Sequence, residues 1–127
     1  MNDAVSLSKN YFKNFEGNVT EEMKASWGST INTTINNGCS FVNYFGHGSI
    51  NSWNNSYLTT TAGQLTNKNR YPVVLSMTCQ TGTFDFSCLA ESFMRKQEAG
   101  AVAVLAASRN SFATDNNSIF RGSEAGK

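Results

Sequence analysis

Histidine occurs once in the 127 residues, proline once and cysteine three times, and neither Lys and Arg nor Asp and Glu gather into a run. Each scarcity removes a class of protein. With one histidine and no Cys-x-x-Cys or His-x-x-x-His spacing, a zinc site lacks its ligands, and no metal or other cofactor is expected. Ten basic residues against nine acidic ones leave a formal charge of +1, so there is no electrostatic footprint for nucleic acid or anionic lipid. No apolar stretch reaches the length of a membrane span, and the opening MNDAVSLSKN lacks the charged-then-apolar order of a secretory leader. An odd number of cysteines, Cys39, Cys79 and Cys88, excludes a complete disulfide framework and leaves at least one thiol free.

What is present is enough for one folded core. The chain is 39% hydrophobic and 12% aromatic, too apolar for disorder, and its length suits one domain or part of one. Residues 1–17 carry Tyr11, Phe12 and Phe15 without a sustained period and read as a loosely packed lead-in segment. From Asn18 the pattern is helical: Asn18 or Thr20 can cap, Glu21 and Glu22 suit a first turn, Met23, Trp27, Ile31 and Ile35 recur every four residues, and Gly38 stops the run. Cys39 to Phe45 has strand character and ends at Gly46-His47-Gly48-Ser49. Residues 50–71 are mostly polar, with a short helical turn expected around Thr61 to Leu65. Val73 to Met77 reads as a buried strand running into Thr78-Cys79, Ser87 to Ala99 as a helix closed by Gly100, and Ala101 to Ala107 as a further continuous apolar strand. The residues from Ser108 onward read as loop.

Helix, strand, loop, strand, helix, strand is the order of a layered α/β unit with parallel strands and right-handed crossovers. In open α/β sheets, sites collect beyond the carboxyl ends of the strands, and His47 and Cys79 both fall there. If their strands are neighbours, about 4.8 Å apart, the two side chains can face each other across a gap fit for a substrate carbonyl. A thiol attacks a carbonyl as thiolate and needs an imidazole to manage protons on the way in and on the leaving amine. Cys79 and His47 supply that minimum. The N–H of Gly48, with no Cβ beside it, and the N–H of Cys79 can form an oxyanion hole, and Gly82 would leave room for substrate.

An apolar strand followed by His-Gly, then a second followed by Cys, is similar to the caspase-like superfamily of cysteine peptidases. The finer resemblance is to its gingipain branch, peptidase family C25, through Asn43-Tyr44-Phe45-Gly46-His47-Gly48-Ser49, Trp53, Leu65-Thr66-Asn67-Lys68-Asn69, Tyr71-Pro72, Cys79 with Gly82 and Phe84, and Ala90-Glu91, over about residues 20–122. The resemblance implies a three-layer α/β/α caspase-like fold with a mostly parallel sheet, incomplete in this chain, which spans 1–127 as one partial domain. It implies a cysteine endopeptidase with His47 and Cys79 as its catalytic pair, acting on protein or peptide substrates, in a secreted or surface-attached bacterial protein. The chain begins after the point where such domains have further strands, so an upstream segment or partner chain is expected to complete the sheet. Thr78 stands where the superfamily often has alanine.

Other residues carry two readings each. Cys39 and Cys88 read as core thiols against a reactive thiol, and Glu91 as a helix carboxylate against a group that supports the catalytic residues from behind. Trp53 and Phe112 are candidates to line a substrate pocket, against simple packing. Asp115 is a candidate partner for a basic P1 side chain, against an exposed loop aspartate. Two alternatives stand beside hydrolysis: a sortase-like transpeptidase, in which an amine accepts the acyl group, and a pseudo-peptidase that keeps the fold without the chemistry.

Overall fold

The computed structural model describes residues 27–121. Helix α1 (Trp27–Asn37) leads into strand β1 (Phe41–Phe45), three short strands β2 (Gly48–Ser49), β3 (Ser52–Trp53) and β4 (Tyr57–Leu58), the turn of helix α2 (Thr59–Ala62), and strand β5 (Val73–Met77). Helix α3 (Leu89–Met94), strand β6 (Ala103–Ala106) and helix α4 (Ala113–Arg121) complete it. The expected lead-in segment and the helix before Trp27 lie outside the described residues.

Strands β1, β5 and β6 form a parallel sheet in that order, with Phe41 opposite Val73 and Phe45 opposite Met77, and Val73 in turn opposite Ala103. Strands β2, β3 and β4 form a separate antiparallel sheet. The two Asn residues between β3 and β4 both have positive φ, Asn54 at 45° and Asn55 at 55°, and Ser56 N–H donates to the Trp53 carbonyl at 2.9 Å. That is a tight turn with both central residues in the left-handed region, which asparagine tolerates because its short amide can satisfy the backbone locally. These strands replace the irregular stretch expected over residues 50–71, and the helical turn falls two residues earlier than the spacing suggests.

Side chains alternate across the parallel sheet, and Tyr44, Val74 and Ser76 face the main core with Ile35, Trp53, Tyr57, Leu65, Leu89 and Phe93. Four rings join there: Trp53 stacks on Tyr44 at 4.7 Å and on Tyr57 at 5.0 Å, and Phe93 stacks on Tyr57 at 5.7 Å. Helix α1 contributes Ile35 and also the buried Asn32, whose amide donates to the Thr61 carbonyl and accepts from the Tyr57 hydroxyl, both at 2.8 Å. Asn67, fully buried, ties the approach to β5 to the turn before β6 through Arg70 and Gly100. On the opposite face Phe41 and Leu105 are exposed, while α4 lies over its carboxyl end, around Met77.

Two more expectations needed correction. The helix expected over Ser87 to Ala99 spans only Leu89–Met94; beyond it Glu98 (φ 54°) and Gly100 (φ 93°) turn the chain toward β6, and a Cβ at Gly100 would fall 2.0 Å from the Phe93 carbonyl oxygen. The residues from Ser108 onward are not all loop: α4 forms from a polar sequence whose first turn holds Asp115, where a carboxylate suits the helix N-terminus.

Candidate active site

The register of β1 and β5 sets the site. Phe45 pairs with Met77, so His47 and Cys79 each stand two residues past the paired ends of adjacent parallel strands, about 4.8 Å apart in the sheet. Both loops are held by short bonds. The Tyr44 hydroxyl reaches back across Gly46 and donates to the His47 carbonyl at 2.7 Å, and Asn54 N–H donates to the same oxygen at 2.9 Å. A Cβ at Gly46 would lie 2.7 Å from the Tyr44 Oη, so glycine keeps that path open. Burial pushes the Tyr44 phenol up to about 12, which keeps it a donor through the neutral range. The His47 ring side of this loop is exposed.

Cys79 follows a turn in which Thr78 N–H donates to the Ser76 carbonyl at 3.0 Å and Gln80 takes φ 59°. Gln80 N–H then donates to the Arg109 carbonyl and Gly82 N–H to the Ala107 carbonyl, each at 3.0 Å, while the Thr83 hydroxyl donates to the Ser108 carbonyl at 3.1 Å. The Cys79 loop is thus laced to the loop after β6. At its end the half-buried Cys79 thiol donates to the Ser111 carbonyl at 3.3 Å, and Ser111 N–H donates to the sulfur at 3.4 Å. Ser111 in turn accepts from the Asn116 amide at 3.1 Å.

Of the sequence-predicted residues, His47 and Cys79 each lie two residues beyond neighbouring strand ends, and Gly48 packs on Thr78. Trp53 does not join them as a pocket wall: it is 1% exposed in the core, with its indole N–H donating to the Ser76 hydroxyl at 2.8 Å, and Ser76 shares a 2.8 Å bond with the Thr81 hydroxyl. Its role is to brace the turn that carries Cys79 from below. Gly82 likewise leaves room for Ala106 rather than for substrate, since a Cβ there would lie 2.9 Å from the Ala106 Cβ. Phe112 is 70% exposed on the loop before α4. Asp115 lines a cavity of about 150 Å³ with Met77, Leu105, Ala106, Ser111 and Asn116. Cys88 is buried and Cys39 half-buried, its thiol pushed up by desolvation, and Glu91 pairs with Arg95 one helical turn on at 3.4 Å. Sequence reasoning missed Ser111 and Asn116, which no local spacing distinguishes from other Ser and Asn residues in this chain.

Among the described residues no three of His, Cys, Asp or Glu gather in a way that could hold a metal ion, and no helix is long and apolar enough to cross a membrane.

The sequence profile of peptidase family C25 matches residues 1–123. Gingipain R2 of Porphyromonas gingivalis is 44% identical over 83 residues, which cover 60% of this chain and 11% of that protein. Lys-gingipain HG66 of the same species is 40% identical over 81 residues, 61% of this chain and 5% of the relative. A crystal structure of the Arg-specific cysteine proteinase gingipain R superposes with a TM-score of 0.80 at 31% identity, covering 94% of this chain and 29% of its own. A complex of Porphyromonas gingivalis gingipain pro- and mature domains gives the same TM-score at 29% identity over 94% of this chain and 30% of its own. The chain therefore spans under a third of each of these relatives.

Proposed function

The chain belongs to peptidase family C25, and from that membership we propose that it carries the Cys-His half of a cysteine endopeptidase site. The observation that supports this most is the β1–β5 register, which sets His47 and Cys79 at equal steps beyond neighbouring strand ends. Cys79 Sγ attacks the scissile carbonyl, the C–N bond breaks, and the His47 imidazolium gives its proton to the departing amine. Water then attacks the thioester, releasing the new carboxylic acid and returning the thiol. The oxyanion formed at each addition is held by the N–H groups of Gly48 and Cys79.

A basic P1 side chain would enter the cavity lined by Met77, Ser111 and Asp115. Met77, Leu105 and Ala106 offer apolar walls for its methylenes, and the Asp115 carboxylate offers a charge-assisted partner for its end. Phe112, exposed on the same loop as Ser111, supplies a ring to close over the bound residue. Protein or peptide substrates follow from this reading, as does a secreted or surface-attached bacterial location. An upstream segment or partner chain would complete the parallel sheet.

The test is covalent labelling with an acyloxymethyl ketone peptide bearing Arg or Lys at P1, mapped by mass spectrometry, with His47→Ala as control. Modification confined to Cys79 and lost in the control is the expected result. Slow, equal modification of all accessible cysteines would overturn the proposal.

A further inference from the structure

We propose that Asn116 is a positioning residue for the nucleophile, acting through Ser111; the inference rests on the reading of Cys79 as nucleophile and deepens it. Asn116 breaks the pattern of its helix. In α4 the neighbours Ala113, Thr114, Asp115, Ser118 and Ile119 are exposed, yet Asn116, a polar residue, is 7% exposed. Burial of an amide costs free energy unless its hydrogen bonds are met, and Asn116 meets one by donating to the Ser111 hydroxyl at 3.1 Å.

That bond fixes the residue whose backbone brackets the sulfur. Ser111 N–H donates to Cys79 Sγ at 3.4 Å, and the thiol donates to the Ser111 carbonyl at 3.3 Å. The backbone lacing between the two loops runs through Ala107 and Arg109, two residues short of Ser111. Past that point the side-chain tie from Ser111 to the body of the protein is Asn116. The two contacts at sulfur are unequal. A thiol is a weak donor, whereas an N–H aimed at a thiolate is charge-assisted and about twice as strong as a neutral bond. Holding Ser111 in place therefore keeps that N–H aimed at the sulfur that attacks and fixes where the sulfur sits.

Among the described residues, the charged and titratable groups on the elements around Cys79 include His47, Asp85, Arg109 and Asp115, and Asp85 pairs with Arg109 at 2.8 Å. The Asn116 amide and the Ser111 hydroxyl bond to each other, so a change in thiol reactivity common to both variants reports the Ser111 tether.

The experiment measures the rate of Cys79 alkylation by iodoacetamide in the full chain from about pH 5 to pH 9, with peptide mapping to separate Cys79 from Cys39 and Cys88. Asn116→Leu and Ser111→Ala are each expected to slow alkylation at neutral pH about threefold to tenfold. The double variant is expected to be no slower than the slower single one, because both remove the same bond. A single variant that keeps the parental rate, or a double variant whose effect is the product of the two, would overturn the proposal. Should Asn116→Leu fail to fold, Ser111→Ala, at a half-buried hydroxyl, decides alone. Iodoacetamide needs no peptide recognition. Slowed alkylation in the variants without peptide labelling of the parent would sink the peptidase reading and leave the tether standing, and the reverse would sink the tether alone.

Discussion

Gly48 and Thr78 meet so closely that a carbon added at Gly48 would lie 2.5 Å from the Thr78 Oγ1 and 2.7 Å from its Cγ2. Gly48 follows His47 and Thr78 precedes Cys79, so this contact joins the two strand-end loops directly. The glycine after the histidine is thus required by packing as well as by any oxyanion it helps to hold.

Gly48→Ala is expected to destabilise the protein by about 1–3 kcal/mol, the usual range for overpacking, and to abolish labelling of Cys79 by the peptide ketone. Adding Thr78→Ala should recover part of the stability but not all, because the Ser52 carbonyl oxygen would still lie 3.2 Å from the new Cβ. Urea unfolding of the two single variants and the double reads this out. Strictly additive losses would mean that the two residues do not press on each other.

Thr78→Val should leave stability unchanged or raise it. The Thr78 hydroxyl oxygen is buried without a hydrogen-bond partner, and an unmet buried polar group costs about 1–3 kcal/mol. Valine keeps the shape and removes the cost. A loss above about 1 kcal/mol would show that the hydroxyl is bonded in solution.

Tyr44 links stability to alkaline pH. Burial raises its phenol from an ordinary 10.0 to about 12, so the folded protein keeps a proton that the unfolded chain has lost. Stability from this group is complete below about pH 10 and declines as pH rises toward 12. Burial raises Tyr57 in the same direction. Tyr44→Phe retains the ring on Trp53 and deletes the bond to the His47 carbonyl. It should cost about 1 kcal/mol at neutral pH, make the alkaline decline shallower, and slow labelling of Cys79 by loosening the histidine loop. Thermal melts across the alkaline range measure the first two effects.

Asp115→Asn tests the basic P1 preference. The rate of inactivation by an Arg ketone should fall about tenfold, as for a lost charge-assisted bond, with no change for a probe of the same length bearing a neutral P1 residue. Equal losses for both probes would assign Asp115 to the fold of the loop instead.

Much of the architecture was legible in short apolar runs. The strand expected at Val73 to Met77 formed over those residues, and the aromatic run before Gly46 formed β1 with two residues trimmed from its start. The helical period through Ile31 and Ile35 was right because both positions pack toward the core. The hairpin at Asn54-Asn55 was overlooked although its signal was present, since paired residues tolerant of positive φ mark a tight turn. Trp53 was misjudged because aromatic residues suit a cleft and a core equally well, and only the Ser76 and Tyr44 neighbours decide between them.

The sequence by itself determined the order of the elements and the fact that the lone histidine and Cys79 each follow an apolar strand, because periodicity and turn chemistry are properties of consecutive residues. Tertiary structure alone decided that those strands are neighbours in register, that Trp53 braces the Cys79 turn, and that Ser111, 32 residues away, closes on the Cys79 sulfur. Such contacts depend on how whole elements pack to bury apolar surface and satisfy polar groups, and that balance has no local trace.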